Sequence, residues 1–170
     1  NPLYHWTHLE LKMYFDLDEL LSEKNWERIY DHCNALLQRE EYSVQELIKR
    51  SNVKVICTTD DPTDDLNYHE QIKNLPNFDV KVLPTFRPDK GLEINKDTFV
   101  PFVKLLGEVT GNELSTYKDF IDALVSRVEY FHEKGCRISD HGLGEIPFAE
   151  YAESDLESIY QTGLKGERVG

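Results

Sequence analysis

Arg87 and Lys90 stand where chemistry could be done. They close the stretch Val80-Lys-Val-Leu-Pro-Thr-Phe-Arg-Pro-Asp-Lys90. Val80, Val82 and Leu83 read as a short, mostly buried strand, which Pro84 and Pro88 stop. Arg87 is left at the C-terminal mouth of that strand, with Asp89 and Lys90 close behind. Two cations at a strand mouth, in a chain of net charge −13, point to a pocket for an anion. In parallel α/β folds that mouth is where ligands bind. The plainer reading is an Arg and a Lys in a solvated turn, because loop cations are common. Two other strand ends carry the same kind of polar cluster: Thr58-Thr-Asp-Asp61 and Asp140-His141. Asp60 and Asp61 could be helix caps and nothing more. Asp140-His141 could be a turn held by side chain to backbone bonds. A strand-end His beside an Asp has a further use, because a carboxylate can orient the ring for proton transfer or metal binding. In a parallel sheet all three ends share one face, and that convergence is the functional signal.

Other reactive patterns are weaker. His5 and His8 are spaced to share one helical face and could serve a metal, but no third ligand is marked, and an aromatic-rich chain entry explains them equally well. His32, His69 and His132 fall within helical patterns and read as surface or boundary residues. No Gly-rich phosphate loop and no GxSxG elbow occurs, and nothing places Ser139 as a nucleophile.

The elements that must position these residues alternate. Residues 1–52 read as a helical subdomain. A polar–apolar pattern runs from His8 through Leu21, and Asn25 can cap a helix whose stripe holds Ile29, Cys33, Leu36 and Leu37. Ser43 with Glu46 has capping-box spacing, and Tyr42 with Leu47 has that of a hydrophobic staple, so the pattern predicts a helix from Val44 to Arg50. Val53–Cys57 is a β-branched strand. Asp61 before Pro62, with Asp64 following, predicts a helix start, and the helix carries Leu66, His69 and Ile72. The strand Val80–Phe86 begins about 27 residues after the previous one, close to the ~30 of a βαβ repeat. Asn95 can cap a helix through Phe99, Phe102, Val103 and Leu106. Thr116 with Asp119 predicts a second capping box, opening a helix with the stripe Phe120, Leu124, Val128 and Phe131 and a stop at Gly135. Cys136–Asp140 reads as a third strand. Helix-like runs around Phe148–Ala152 and Leu156–Thr162 look under-packed. The expected architecture is α/β: parallel βα units over 53–170 forming part of a (β/α)8 barrel, with an N-terminal helical insertion.

Length and charge set bounds. The 170 residues suit one ordinary domain or a piece of a larger one. An excess of 32 Asp+Glu over 19 Lys+Arg argues against nucleic acid and anionic membranes as partners. An anionic substrate would then need a local cationic clamp. No apolar run approaches the ~20 residues of a membrane span, and no signal-peptide pattern opens the chain, so a cytoplasmic location is expected. Cys33, Cys57 and Cys136 are odd in number and far apart; Cys57 and Cys136 are expected to be buried free thiols. Asn1–His8 and Gly163–Gly170 do not look like natural ends, so an excised piece of a longer chain is expected.

Four stretches together carry a resemblance: Asn1-Pro-Leu-Tyr-His-Trp-Thr-His-Leu-Glu-Leu11, Val55-Ile-Cys-Thr-Thr-Asp-Asp-Pro62, Leu83-Pro-Thr-Phe-Arg-Pro-Asp-Lys90 and Cys136-Arg-Ile-Ser-Asp-His-Gly-Leu143. In order and spacing they resemble uronate isomerase, also called glucuronate isomerase, of the amidohydrolase-like barrel superfamily. The resemblance implies a fragment of an enzyme that interconverts glucuronate with fructuronate and galacturonate with tagaturonate. It implies Arg87 as the residue holding the uronate carboxylate, with Asp60 and Thr58 lining the same rim as substrate-binding residues. Asp140 and His141 become candidates for proton transfer near the sugar. The family's His-x-His and its last-strand Asp have no counterpart here, so a divalent metal such as zinc would find its ligands outside this chain. The partner implied is a uronate sugar, and a homo-oligomer is admitted. The alternatives are a metal-dependent hydrolase of the same superfamily and a non-catalytic truncated module.

Overall fold

The computed structural model describes residues 1–142, 144 and 149–169. The chain divides into two compact units: residues 1–54 with 78–80, and residues 55–77 with 81–170.

The first unit is helical. Helix α1 (Pro2–Phe15) starts where Asn1 accepts a hydrogen bond from the Leu3 amide and Pro2 supplies a pre-set φ. The pattern from His8 to Leu21 predicted a longer helix, but Asp16 turns left-handed at φ 55° and ends it. The Leu21 amide then bonds to the His8 ring instead of to a helical carbonyl. Helix α2 (Trp26–Leu37) follows Asn25, but Asn25 does not cap it. Its side chain accepts from Ser22 and donates to Glu19 and Leu20, fixing the preceding loop. Ile29 and Leu36 are buried on α2, while Leu37 is exposed. Helix α3 (Val44–Arg50) has the predicted bounds, and Ser43 caps the Glu46 amide. Leu3, Trp6, Leu9 and Met13 leave an apolar stripe of α1 exposed.

The second unit is built on two short parallel strands, β1 (Val55–Cys57) and β2 (Lys81–Leu83), in the register Val55 to Lys81 through Cys57 to Leu83. Pairing continues beyond them through single parallel bridges, Asp60 to Phe86 and Phe86 to Ser139. The third strand expected at Cys136–Asp140 is therefore one bridge, with Phe86 N donating to Ile138 O at 3.2 Å and Asp140 N to Phe86 O at 3.3 Å. Among the described residues nothing pairs with the outer margin of β1. Its residues alternate exposed, half-buried, exposed, so Cys57 is exposed, against expectation; Cys136 is buried as expected.

Helix α4 (Asn67–Lys73) begins five residues later than the start at Pro62 that Asp61 predicted as its cap. The aspartates bond locally instead: Asp61 takes the Thr63 amide at 2.9 Å and Asp64 the Leu66 amide at 2.6 Å. These bonds compete with the first helical turn. Leu66 sits left-handed at φ 54° yet fully buried. The buried Arg127 pins the same loop by donating to the carbonyls of Pro62 at 2.6 Å and Asp64 at 2.8 Å.

After β2 come α5 (Asp89–Leu92), α6 (Phe99–Thr110), α7 (Tyr117–Glu133) and α8 (Glu153–Leu164). Asn95 does not cap α6; it exchanges two hydrogen bonds with the Val169 backbone. The capping box at Thr116 and Asp119 forms in both directions. Gly135 closes α7 at φ +100°, a region that suits glycine, as its position after the helix predicted. Phe99, Phe102, Val103, Leu106, Phe120 and Tyr160 form the larger core between α6, α7 and α8. A smaller one holds Leu66, Phe86, Phe131 and Cys136, with Phe86 edge-on to Phe131 at 5.2 Å. On α7, Phe120 and Phe131 are buried as the stripe predicted, but Val128 is exposed. The run at Leu156–Thr162 is not under-packed, because it lies within α8 and buries Tyr160. Of the helical run expected at Phe148–Ala152, Phe148 lies outside the described residues and residues 149–152 are not helical.

Candidate functional site

The parallel ladder brings the three polar strand ends side by side. Asp60 N donates to Thr85 O at 3.1 Å, and Arg87 N donates to Asp60 O at 3.0 Å. Asp140 N reaches Phe86 from the other side. Arg87 is thus flanked by Asp60 and Asp140, and alternation along the strand sends Phe86 to the core and Arg87 to the opposite face.

Arg87 is held by two carboxylates. Its Nε donates to Asp140 Oδ1 at 3.2 Å, and its Nη2 bonds closely to Asp140 Oδ2. Asp89 Oδ2 stands 3.8 Å from the same Nε. The hydrogen bond and charge of Asp140 push the guanidinium further above its ordinary range, with Asp89 contributing. Asp89 in turn takes His141 Nδ1 on Oδ1 at 3.1 Å and the Gly142 amide on Oδ2 at 2.8 Å. Burial resists ionisation of Asp89, but the Gly142 amide, the His141 ring and Arg87 outweigh it and hold the carboxyl below the usual range. Lys90 pairs with Asp61 at 2.9 Å. Asp61 is likewise held low, with burial opposed by Thr63 and Lys90.

Thr58 and Asp60 turn inward. Asp60 is 9% exposed, and its Oδ2 accepts from Thr58 Oγ1 at 2.6 Å and from the Thr85 amide at 3.0 Å. Thr58 has one hydroxyl proton, so His69 Nε2 donates to the same oxygen at 2.8 Å. His69 was expected at the surface or boundary. Its side chain is 12% exposed, it lies 3.7 Å from Asp60, and its buried Nδ1 has no partner among the described residues. Sequence reasoning missed it because the Asx turns before α4 set which face of that helix meets the strand ends. Arg87, Asp140 and His141 by contrast keep 36–40% of their side chains exposed, so this rim is an open surface.

A model of the glucuronate isomerase family matches residues 1–170, the whole of this chain. The chain belongs to the glucuronate isomerase family. A uronate isomerase of Caldicellulosiruptor saccharolyticus is 51% identical over 169 residues, which are 99% of this chain and 36% of the relative. A crystal structure of uronate isomerase from Thermotoga maritima matches with TM-score 0.90 at 33% identity, over 100% of this chain and 37% of that one. A crystal structure of glucuronate isomerase from Caulobacter crescentus, at 23% identity, TM-score 0.86 and 98% coverage of this chain against 34% of its own, speaks for the fold alone. This glucuronate isomerase family member thus spans little more than a third of the length of these relatives.

The residues present do not fit a metal. Among the described residues no three of His, Cys, Asp and Glu converge as a metal site requires. His8 has both ring nitrogens engaged, Nδ1 with Tyr4 O and Nε2 with the Leu21 amide, each at 2.7 Å, so it has no lone pair to offer beside His5.

Proposed function

We propose that this chain is a segment of a uronate isomerase, which interconverts glucuronate with fructuronate and galacturonate with tagaturonate by an aldose–ketose shift. The single observation that carries the reading is the family match over the whole chain, with Arg87 at a strand mouth inside it. We further propose that the βα units of residues 53–170 are an arc of a (β/α)8 barrel and residues 1–52 a helical insertion. The single-bridge third strand supports this. Beside it runs a groove of about 480 Å³ lined by Phe86, Val128, Phe131 and Ile138, where a further βα unit would pack.

In this reading Arg87 holds the sugar carboxylate, since a planar guanidinium can donate two parallel hydrogen bonds to it. Thr58 and Asp60 shape the rim through the Thr85 amide. Moving a proton between C2 and C1 needs a base and a stabilised enediol-like intermediate. Asp140 and His141 are the candidate carriers in this chain. Any divalent metal takes its ligands from residues outside the chain. The metal-dependent hydrolase and the truncated module have no observation in their favour. A soluble, cytoplasmic setting and a homo-oligomer belong to the same proposal.

The test is a segment exchange. This chain replaces the matching third of the Caldicellulosiruptor saccharolyticus uronate isomerase, and ketose formation from glucuronate is measured. Activity is expected to survive. Arg87→Ala in the exchanged segment should raise KM by about 10–100-fold, the loss of a charge-assisted pair. A folded exchange protein that forms no ketose overturns the proposal.

A further inference from the structure

The link between α1 and α2 is closed by two side chains one helical turn apart. Tyr4 and His8 are four residues apart on α1, with their rings edge-on at 4.3 Å. Between them they take both backbone groups of Leu21. The Tyr4 hydroxyl donates to Leu21 O at 3.0 Å, and the Leu21 amide donates to His8 Nε2 at 2.7 Å. We propose that His8 is a proton-operated latch: its neutral ring holds the loop of residues 16–25 to α1, and protonation of Nε2 releases it. The latch belongs to the helical unit and stands apart from the isomerase reading.

The backbone fixes the tautomer. Nδ1 lies 2.7 Å from Tyr4 O, and a carbonyl only accepts, so Nδ1 carries the proton. An amide only donates, so Nε2 presents its lone pair to the Leu21 N–H. A second proton can enter the ring only at Nε2. It sets two donors face to face across 2.7 Å, and the bond must open. Among the described residues no carboxylate pairs with the ring to take the new N–H. Lys12 of α1 pairs with Asp18 of the loop at 2.6 Å, and Glu19 of the loop pairs with Arg28 of α2. Glu10, Asp16, Glu23 and Lys24 make no bond to the ring, and His5 meets Tyr4 with ring centres 6.1 Å apart. Imidazole is the side chain that ordinarily changes charge between about pH 5 and 8. The closed loop accepts only the neutral ring, so closure is favoured above the titration of that ring and lost as pH falls through it. Two contacts do not depend on the imidazole: the Tyr4 hydroxyl bond and the pair of Lys12 with Asp18. They tether the loop while the Leu21 amide comes free, so the response is a local opening in which the helices stay folded.

Amide hydrogen exchange of this chain, followed by nuclear magnetic resonance with nitrogen-15 labelling, reads the latch directly. Between about pH 8 and 5 the protection of the Leu21 amide should fall at least about tenfold. Its midpoint should coincide with that of the His8 ring nitrogens as they pass from the Nδ1–H tautomer to the imidazolium. The Ser51 amide, bonded to Leu47 O at 3.1 Å in the same unit, should keep its protection. His8→Gln puts a carboxamide that does not titrate in place of the ring and should remove the step. Tyr4→Phe should lower Leu21 protection at every pH yet leave the step in place, and it carries the test should His8→Gln fail to fold. Leu21 protection that stays level while His8 titrates overturns the proposal. So does a step that survives His8→Gln, or a loss that Ser51 shares equally, since that is unfolding of the whole unit.

Discussion

Burial pushes the Tyr160 hydroxyl up to about 12 from the ordinary 10.0, and the charges of Asp119 and Glu157 add to it. The hydroxyl donates to Leu114 O at 2.8 Å, inside the larger core. The sign follows from which state releases the proton first. The unfolded chain ionises near 10 and the folded chain near 12, so this contribution to stability is complete below pH 10 and is lost as pH rises towards 12. The loss is on the order of 2 kcal/mol. Tyr160→Phe should cost about 1–3 kcal/mol at neutral pH, since the Leu114 carbonyl is left unpaired, but flatten the decline above pH 10. Urea unfolding at stepped pH checks both. At this same scale the site was half legible. The sequence marked Arg87, Asp140 and His141, because residue type and strand-end position are local properties. It could not assign Asp140 to Arg87 or Asp89 to His141, because that choice depends on which way neighbouring side chains lean across the bridge at Phe86 and Ser139.

Helix α8 approaches its neighbours closely enough that only a glycine fits at position 163. A Cβ there would lie 2.5 Å from Ile94 Cγ1 and 3.2 Å from Phe99 Cε1. Gly163→Ala should therefore destabilise by about 1–3 kcal/mol despite the gain in helix propensity of about 1 kcal/mol. Ile94→Ala in the same chain should recover part of the loss, a non-additivity that denaturant melts of the single and double variants would show. Elements written in local code were readable. The bounds of α3 and the box at Thr116 and Asp119 depend on residues three apart, and both were found. Elements decided by competition were not. The aspartates at 61 and 64 spend their acceptors on Asx turns and delay α4. Asn25 and Asn95 satisfy loop and chain-end backbone instead of opening helices. The strand at Cys136–Asp140 shrinks to a bridge because pairing, not propensity, decides how long a strand is.

The whole chain presents 34–37% of the length of the three relatives described above. Its proposed anchor for a sugar acid stands open, with two cations set among Asp61, Asp89 and Asp140 and no opposing wall among the described residues. By itself the chain is therefore expected to bind glucuronate more weakly than micromolar. Isothermal titration settles the matter, and submicromolar affinity would contradict it. The parallel order of the strand ends was legible from the alternation of helix and strand patterns. The exposed α1 stripe includes Trp6, part of the aromatic-rich stretch visible in the sequence.

Arg87 and Asp140 are 53 residues apart, and α6 and α7 lie between them. A ribosome adds about 5–20 residues each second, so the cation emerges seconds before the carboxylate that will fix it. Closing so long a loop carries an entropy cost that two helices must offset before the bridge at Phe86 can form. Newly made chain therefore completes its helical packing first and its polar rim last. Synthesis halted short of Ser139 would leave Phe86 with its backbone unpaired on that side, a species that chaperones rather than substrates would recognise.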